Sequence, residues 1–438
     1  MSAAADETAS PTALARRLVA DGKRGEAEGV VSRLIAENFD FAVRACAITA
    51  DWSSLNSLNG TVEAEDGRRF FFKFHQEEGE EATVQEYYRA ELLQRAGLPV
   101  DLPVMVCRRP GHQILLYAFR RDRTLADLCL QMERSGDVVE LSELVKLQAD
   151  LDRVTGESYL ASLHASTPEL SAAEPVHQLF YNRLVTPPDL EKLGGRVERF
   201  YEEQMVELPT GDLSWEHFKT LHWRINGIDY SRTIDDLFSD SLMRLLPTSL
   251  AKCGGVIAHG DAHNANVWVE RAEEQSQLVL FDPAFAGEHV PALLADVKAT
   301  FHNIFAHPFW LYHPAEADTH FNVDVSLAGD RLVVEHDWKL TSPRREFLPL
   351  KVELIWRPLL AALRDRGLLT TDWRRVVRLA LFCCPTLVMS LRAGASHGAT
   401  AGRSPKISAL SFAIAVMAGC EPQKGADPFS NFLDEIAP

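Results

Sequence analysis

Residues 256–269 read VIAHGDAHNANVWV, with a polar centre between two apolar runs. This pattern predicts a strand, a tight loop and a second strand. A further apolar run at 278–281 ends on Asp282. The loop thus offers a carboxylate at Asp261 and an amide at Asn266, and the following hairpin adds a second carboxylate. These three oxygen-bearing side chains are the predicted centre of a functional site.

The spacing Asp-x-x-x-x-Asn, followed by an Asp that ends a hairpin, suits phosphoryl transfer. In that reaction the protein contributes mainly by positioning the reactants and by neutralising charge. Mg²⁺ prefers hard oxygen ligands and keeps several waters, so one amide and one carboxylate suffice beside phosphates. We predict that Asp261 accepts a hydroxyl proton and that Asn266 and Asp282 hold Mg²⁺. Taken singly, Asp, Asn and Gly in such a loop are also common turn formers.

The loop at 259–266, HGDAHNAN, resembles that of the aminoglycoside phosphotransferase and choline kinase group, whose pattern is His-Gly-Asp-x-His-x-x-Asn. The resemblance implies an α+β, two-lobed protein-kinase-like fold, with a small β-rich N-lobe and a larger, mainly helical C-lobe. It also implies ATP and Mg²⁺ as cofactors and a small-molecule hydroxyl as the phosphoryl acceptor. His259 and His263 are then expected to brace the loop. Asp282 is followed by Pro-Ala instead of the more usual Asp-Trp or Asp-Phe-Gly.

Lys73 lies inside the aromatic strand FFFKF, where a lone cation is costly unless it is paired. Snorkelling to the surface is the ordinary alternative. Downstream, residues 83–96 predict a helix that Gly-Leu-Pro-Val follows. The resemblance assigns Lys73 to the ATP phosphates and Glu86 on this helix as its partner, with Glu91 as the second choice. Glu86 also fits a simple capping box.

Two further nucleotide contacts are predicted in the first lobe. The loop at 51–60 is rich in Ser and Asn, and Ser54 is the candidate that contacts phosphate. An ordinary polar turn explains the same composition. In the family the hinge backbone binds adenine, which makes Tyr117 and Phe119 candidates in the apolar strand ILLYAF.

The chain divides into three predicted regions. Residues 1–38 form a helical extension, 39–122 form the nucleotide-binding N-lobe, and 123–438 form the C-lobe. Residues 166–251 are an insertion that falls where substrate-binding helices occur in the family. The period-two pattern at 322–337 predicts a hairpin that has no counterpart in the family's helical tail.

The segment after Asp282 resembles the family's Gly…Pro…Asp motif and ends on Asp296. The resemblance implies that Asp296 supports the catalytic loop, whereas a solvated helix residue is the competing interpretation. The stretch at 301–313 is rich in His and aromatic residues without the spacing of a metal site. We interpret it as aromatic packing around a substrate pocket.

The composition of the 438-residue chain limits the classes of function that it can have. A net charge of −17 argues against nucleic-acid and anionic-membrane partners, and is consistent with a cationic substrate or with general solubility. Seven cysteines without regular spacing indicate a reducing compartment, which predicts a cytoplasmic protein. The predicted function is ATP-dependent phosphoryl transfer to a small molecule. The alternatives are a non-catalytic nucleotide-binding module, or nucleotidyl or other phosphoryl chemistry on the same fold.

Overall fold

The structure is a computed structural model that describes residues 10–49, 57–75, 81–272, 275–395 and 402–438, with the main chain alone at 57, 75 and 81–87. The described chain mixes helices with antiparallel and mixed sheets. By their packing the residues form two compact units. Unit 1 comprises Met1–Gln94, Val100–Asp122 and Phe281–Ala284, and unit 2 comprises Arg95–Pro99, Arg123–Leu280 and Phe285–Pro438.

Unit 1 is built on a five-stranded sheet with the order β1-β2-β3-β5-β4. The strands are β1 (Val43–Ile48), β2 (Ser57–Ala64), β3 (Arg69–His75), β4 (Met105–Cys107) and β5 (Ile114–Ala118). Asp66-Gly67 forms the β2–β3 turn, as an Asp-Gly pair between apolar runs predicts, and Gly67 adopts a φ of 87° that favours glycine. The aromatic side chains Phe72 and Phe74 of β3 are fully buried in the core beneath the sheet.

Three helices belong to the first part of the chain: α1 (Pro11–Ala20), α2 (Arg24–Asn38) and α3 (Glu81–Arg95). The break between α1 and α2 falls at Gly22, the kind of residue that interrupts a helix, and its φ is 76°. Val31 and Leu34 of α2 are fully buried in the same hydrophobic core as Phe72. The helical extension therefore completes the core of unit 1. Helix α3 begins two residues before the predicted Thr83.

Unit 2 is mainly helical. Its helices are α4 (Leu125–Ser135), α5 (Leu141–Ser162), α6 (Pro168–Ala172), α7 (Gly195–Tyr201), α8 (Trp215–Phe218), α9 (Ile234–Arg244), α10 (Val297–Thr300), α11 (Pro314–His320), α12 (Ser342–Leu350), α13 (Arg357–Asp365), α14 (Trp373–Thr386), α15 (Pro405–Gly419) and α16 (Pro428–Glu435). Short 3₁₀ and π turns join several of them. Helix α15 is buried along most of its length, as its apolar sequence predicts. Among the described helices, none combines the length and apolarity that a bilayer crossing needs.

The strands of unit 2 form small sheets. They are β6 (Arg123–Thr124), β7 (Met205–Val206), β8 (Leu213–Ser214), β9 (His222–Ile225), β10 (Ile228–Tyr230), β11 (Gly255–Ala258), β12 (Val267–Glu270), β13 (Gln277–Leu280), β14 (Gly287–Pro291), β15 (Val323–Ala328) and β16 (Arg331–His336). The predicted hairpin at 322–337 is β15–β16, and β16 pairs in parallel with β9 from the insertion. Segments from residues 166–251 and from the hairpin at 322–337 therefore build one sheet with the order β10-β9-β16-β15.

Candidate active site

The loop after β11 is shaped by Gly260. This residue has a φ of 78°, and a Cβ atom there would lie 2.6 Å from the Phe285 carbonyl oxygen. Both the conformation and the close approach exclude a side chain. The loop then turns through a 3₁₀ segment, Asn264–Asn266, into β12. The predicted strand–loop–strand is thus present, and its sharp turn directs Asp261 out of the strand.

Asp261 presents two different carboxylate oxygens. Its Oδ1 is buried and has no hydrogen-bond partner among the described residues, while 13% of the side chain is exposed. Lys298 Nζ lies 3.9 Å from Oδ1, and His263 Nε2 lies 3.8 Å from Oδ2. Burial alone would raise the pKa of Asp261, but the charges of His263 and Lys298, with those of Arg183 and His259, hold it below its usual value. The carboxylate is therefore ionised at neutral pH, which is the form that can accept a proton.

Asn266 is fixed by the loop backbone. Its Nδ2 donates to the Asp261 carbonyl oxygen at 2.9 Å, and its N–H donates to the His263 carbonyl oxygen at 2.7 Å. Because the amide nitrogen is engaged, Oδ1 is the side-chain atom left to accept or to ligate. This arrangement fits an Mg²⁺ ligand, since Mg²⁺ takes oxygen donors.

The two histidines of the loop have different environments. His259 is buried, and its Nδ1 accepts a hydrogen bond from the Asp261 N–H at 3.4 Å. His263 is a quarter exposed and faces Asp261 through Nε2. Both contacts lie within the loop, and the bracing role of the two histidines stays a prediction.

A buried polar chain lies behind Asp261, and sequence reasoning missed its role. Lys298 Nζ donates to His302 Nε2 at 2.7 Å, and the Tyr312 hydroxyl contacts His302 Nδ1. The composition of the stretch at 301–313 predicts aromatic packing and does not reveal this chain. Lys298 lies two residues after the motif residue Asp296, and its position inside an apolar run, VKATF, was the available signal.

Asp296 is 1% exposed, so it is not the solvated helix residue of the alternative interpretation. Its carboxylate accepts from Thr300 Oγ1 at 2.9 Å and lies 3.3 Å from Lys351 Nζ, which is also 2.9 Å from Asp152 Oδ1. Burial, together with the neighbouring charge of Asp152, raises the pKa of Asp296 to about 6 despite Lys351. These contacts tie the helical core together, and none of them joins Asp296 to the 259–266 loop.

Lys73 and Asp282 meet within unit 1. The Lys73 ammonium donates to Asp282 Oδ1; the lysine side chain is 8% exposed and the aspartate side chain 39%. Asp282 has a positive φ of 56°, as expected at a sharp turn. Burial of the Lys73 ammonium is therefore compensated by a carboxylate of the predicted set. The predicted partner Glu86 lies on α3, but its side chain lies outside the described residues.

Three nucleotide-binding candidates remain. Ser54 lies outside the described residues. Tyr117 is buried on β5 and pairs with Phe71 of β3. The Phe119 N–H donates to the Arg69 carbonyl oxygen at 3.3 Å, and the Arg69 guanidinium lies 3.9 Å from the centre of the Phe119 ring. The N–H of Phe119 is therefore already used inside the sheet, which leaves its carbonyl group for a nucleotide contact.

A metal cage made of protein side chains is not present in the described part of the chain, where no group of three or more His, Cys, Asp or Glu is placed to hold an ion. Mg²⁺ at a phosphoryl-transfer site needs no such cage, because phosphates and waters complete its shell. The amide oxygen of Asn266 and the half-exposed carboxylate of Asp282 are the kind of donors that fit it.

Comparisons with known proteins find similar solved structures at low sequence identity. No protein-family model matches it, and no curated protein matches its sequence. A macrolide 2'-phosphotransferase type I matches with 12% identity over 89% of this chain and 96% of that one, at a TM-score of 0.38. A Thermobifida fusca protein assigned as a fructosamine-3-kinase matches with 15% identity over 89% and 98%, at 0.36. A GDP and kanamycin complex of APH(2")-IIia matches with 10% identity over 81% and 88%, at 0.42. These names agree with the resemblance drawn from the motif, but at such TM-scores the matches carry no weight in assigning a function.

Proposed function

We propose that the protein transfers the γ-phosphoryl group of ATP to a hydroxyl group of a small molecule. The observation that carries this proposal is the state of Asp261. Its carboxylate is held ionised on a glycine-shaped loop, with Oδ1 turned inward toward Lys298 and the side chain still partly exposed. A carboxylate presented in this way accepts a proton from a bound hydroxyl.

In the proposed reaction the acceptor oxygen forms a bond to the γ-phosphorus, and the bond from that phosphorus to the β,γ-bridging oxygen breaks. ADP leaves with that bridging oxygen and its electron pair. Asp261 takes the acceptor proton and later releases it to solvent. Lys73 binds the phosphates of the nucleotide, with Glu86 as the partner of the lysine and Ser54 as a further phosphate contact. Tyr117 and Phe119 contact the adenine through their main chain.

Asn266 and Asp282 would hold Mg²⁺, which when bound neutralises charge on the phosphates. Each residue offers an oxygen within its own unit. The Asn266 amide nitrogen is engaged by the Asp261 carbonyl oxygen at 2.9 Å, so its Oδ1 is the atom for the metal. The side chain of Asp282 is 39% exposed, so its carboxylate can reach a bound ion.

The insertion at 166–251 is the proposed acceptor-binding segment. It contributes Arg183, whose charge acts on Asp261. We further propose that the protein works in the cytoplasm without a nucleic-acid or membrane partner. All seven cysteines are free thiols, and six of them are buried, which supports a reducing compartment.

The test is ATP consumption and product formation across a panel of hydroxyl metabolites, measured for wild type and Asp261→Asn. The amide keeps the shape of the carboxylate but cannot take the proton, so turnover should fall by about 10²–10⁴-fold. MgATP affinity, measured by calorimetry, should stay nearly unchanged. Asp324→Asn, on the exposed hairpin, is the matched control. If wild type binds MgATP but phosphorylates nothing, the non-catalytic nucleotide-binding alternative replaces the proposal.

A further inference from the structure

Lys298 is a buried cation to which the proposed reaction assigns no role. It lies on α10, is 3% exposed, and directs its ammonium to the inner oxygen of Asp261 at 3.9 Å. Taking an ammonium out of water is costly unless it is paired. Burial lowers the pKa of Lys298, because desolvation outweighs the favourable charge of Asp261. The position of Lys298 therefore costs the protein stability.

A second buried lysine shows what a purely structural arrangement looks like in this protein. Lys351 is 4% exposed and lies 2.9 Å from Asp152 Oδ1 and 3.3 Å from Asp296 Oδ2. Lys298 instead has one carboxylate within 4.0 Å in the described chain, at a distance beyond hydrogen bonding. A lysine placed for stability alone would be expected to have close carboxylate partners, as Lys351 does.

His302 holds the Lys298 ammonium in place. The ammonium can only donate, so His302 Nε2 accepts at 2.7 Å and Nδ1 carries the proton that faces the Tyr312 hydroxyl oxygen. Burial, together with the charge of Lys298, lowers the pKa of His302 well below its ordinary value, which agrees with a neutral ring. Tyr312 therefore fixes His302, and His302 fixes Lys298.

We propose that Lys298 is a positioning residue for the proposed phosphoryl transfer, in which its ammonium turns Oδ1 of Asp261 inward so that Oδ2 meets the acceptor hydroxyl. Lys298 itself touches neither nucleotide nor acceptor. The inference rests on the proposed function and assigns to α10 a part in it. Oδ1 of Asp261 is buried without a hydrogen-bond partner among the described residues, so the 13% exposed part of the side chain lies outside Oδ1.

The experiment compares the full-length wild type with Lys298→Met and Lys298→Arg. MgATP is the probe, with the best acceptor of the panel or with water as acceptor, and ADP release gives kcat and KM. Lys298→Met should lower kcat by about 10²-fold, as expected for a misplaced base, with the calorimetric Kd for MgATP within about threefold. Lys298→Arg keeps the charge and should retain at least several times the kcat of Lys298→Met.

The control is Arg378→Met, which removes another fully buried cation whose hydrogen bonds go to Met417, Cys420 and Glu421. It should lower the unfolding midpoint but leave kcat per folded molecule unchanged. If Lys298→Met does not fold, Tyr312→Phe and His302→Gln test the positioning role instead. Both variants keep the lysine but weaken the hydrogen bonds that hold its ammonium in place. Each should lower kcat about 3- to 10-fold without changing the Kd for MgATP.

The outcomes separate the inference from the function on which it rests. If wild type turns over and Lys298→Met matches it within about threefold, or if Lys298→Arg falls as far as Lys298→Met, the positioning role is wrong and the proposed function stands. If wild type releases no ADP with any acceptor or with water, the proposed function fails and the inference fails with it. A loss confined to the unfolding midpoint would make Lys298 a structural residue only.

Discussion

The Lys73 ammonium on β3 donates a hydrogen bond to the Asp282 carboxylate, 209 positions later in the chain. Both residues belong to unit 1, and the lysine is the more buried of the two. The residue proposed to hold phosphates and the residue proposed to hold Mg²⁺ thus neutralise each other. The contact gives the buried lysine a charged partner.

Lys73→Met tests the nucleotide role of this lysine. Hydrogen bonds to charged groups contribute about 1.5–3 kcal/mol, so KM for MgATP should rise by about 10- to 100-fold. Stability should change little, because Asp282 is 39% exposed and water can solvate it when the lysine is removed. Lys219→Met, which removes a lysine paired with Glu216 at 2.8 Å, is the control. An unchanged KM would remove Lys73 from the nucleotide site.

Gly260→Ala tests the shape of the catalytic loop. At a φ of 78° a side chain is strained, and the new Cβ would also meet the Phe285 carbonyl oxygen at 2.6 Å. Gly329→Ala is matched in backbone, with a φ of 65°, but its Cβ would have nothing within 4 Å. Urea unfolding should show a loss of about 1–2 kcal/mol for Gly329→Ala, from conformation alone.

The Gly260 variant should lose about 1–3 kcal/mol more than that, because of the clash. It should also lose most of its turnover, since Asp261 is the next residue. Equal losses in the two variants would mean that the carbonyl approach does not constrain the loop.

Asp296 and Lys351 give opposite predictions for stability. Lys351→Met leaves two buried carboxylates without their cation and should destabilise the protein by about 3–5 kcal/mol. Asp296→Asn removes one of two carboxylates that share a single lysine. Since the folded pKa of Asp296 is about 6, above the ordinary 3.8, the folded state binds the proton more tightly than the unfolded state.

The contribution of Asp296 to wild-type stability should therefore fall as pH rises from about 4 to 6 and level off above that, by at most about 3 kcal/mol at 1.36 kcal/mol per pKa unit. Asn cannot titrate, so Asp296→Asn lacks this pH-dependent loss. Its free energy of unfolding relative to that of wild type should therefore increase as the pH rises from about 4 to 6. Urea unfolding of both proteins at several pH values measures the difference. A constant difference between pH 4 and 7 would show that Asp296 does not titrate in this range.

Asn266→Ala tests the metal site. The variant loses the proposed ligand oxygen and also the 2.9 Å hydrogen bond to the Asp261 carbonyl. The Mg²⁺ concentration for half-maximal turnover should rise by about 10- to 100-fold, and chelation of Mg²⁺ should stop turnover in both proteins. Asn322→Ala, which removes a 2.8 Å hydrogen bond to Asp337 in the β15–β16 hairpin, is the control. Turnover that persists in excess chelator would contradict a role for Mg²⁺.

Sequence reasoning was most successful where the signal is local. The Asp66-Gly67 turn, the break at Gly22 and the strand–loop–strand around Asp261 all depend on residues close together in the chain. Their backbone conformations are set by turn chemistry and by the period of apolar residues. The outcome for Asp296 shows the limit, because the motif named the residue but not its partners. Lys351 and Asp152 lie far from it in sequence, and no spacing rule connects them.

By itself the sequence determined the strand–loop–strand at 256–269, the hairpin at 322–337 and the residue types offered for phosphoryl transfer, because each follows from a short-range pattern. Only the tertiary structure decided that Lys73 meets Asp282, that Lys298 lies behind Asp261, and that the insertion shares a sheet with the β15–β16 hairpin. The physical reason is that a buried charge or a strand edge requires a partner, but the local sequence does not determine which residue that partner is. The packing of distant segments makes that choice.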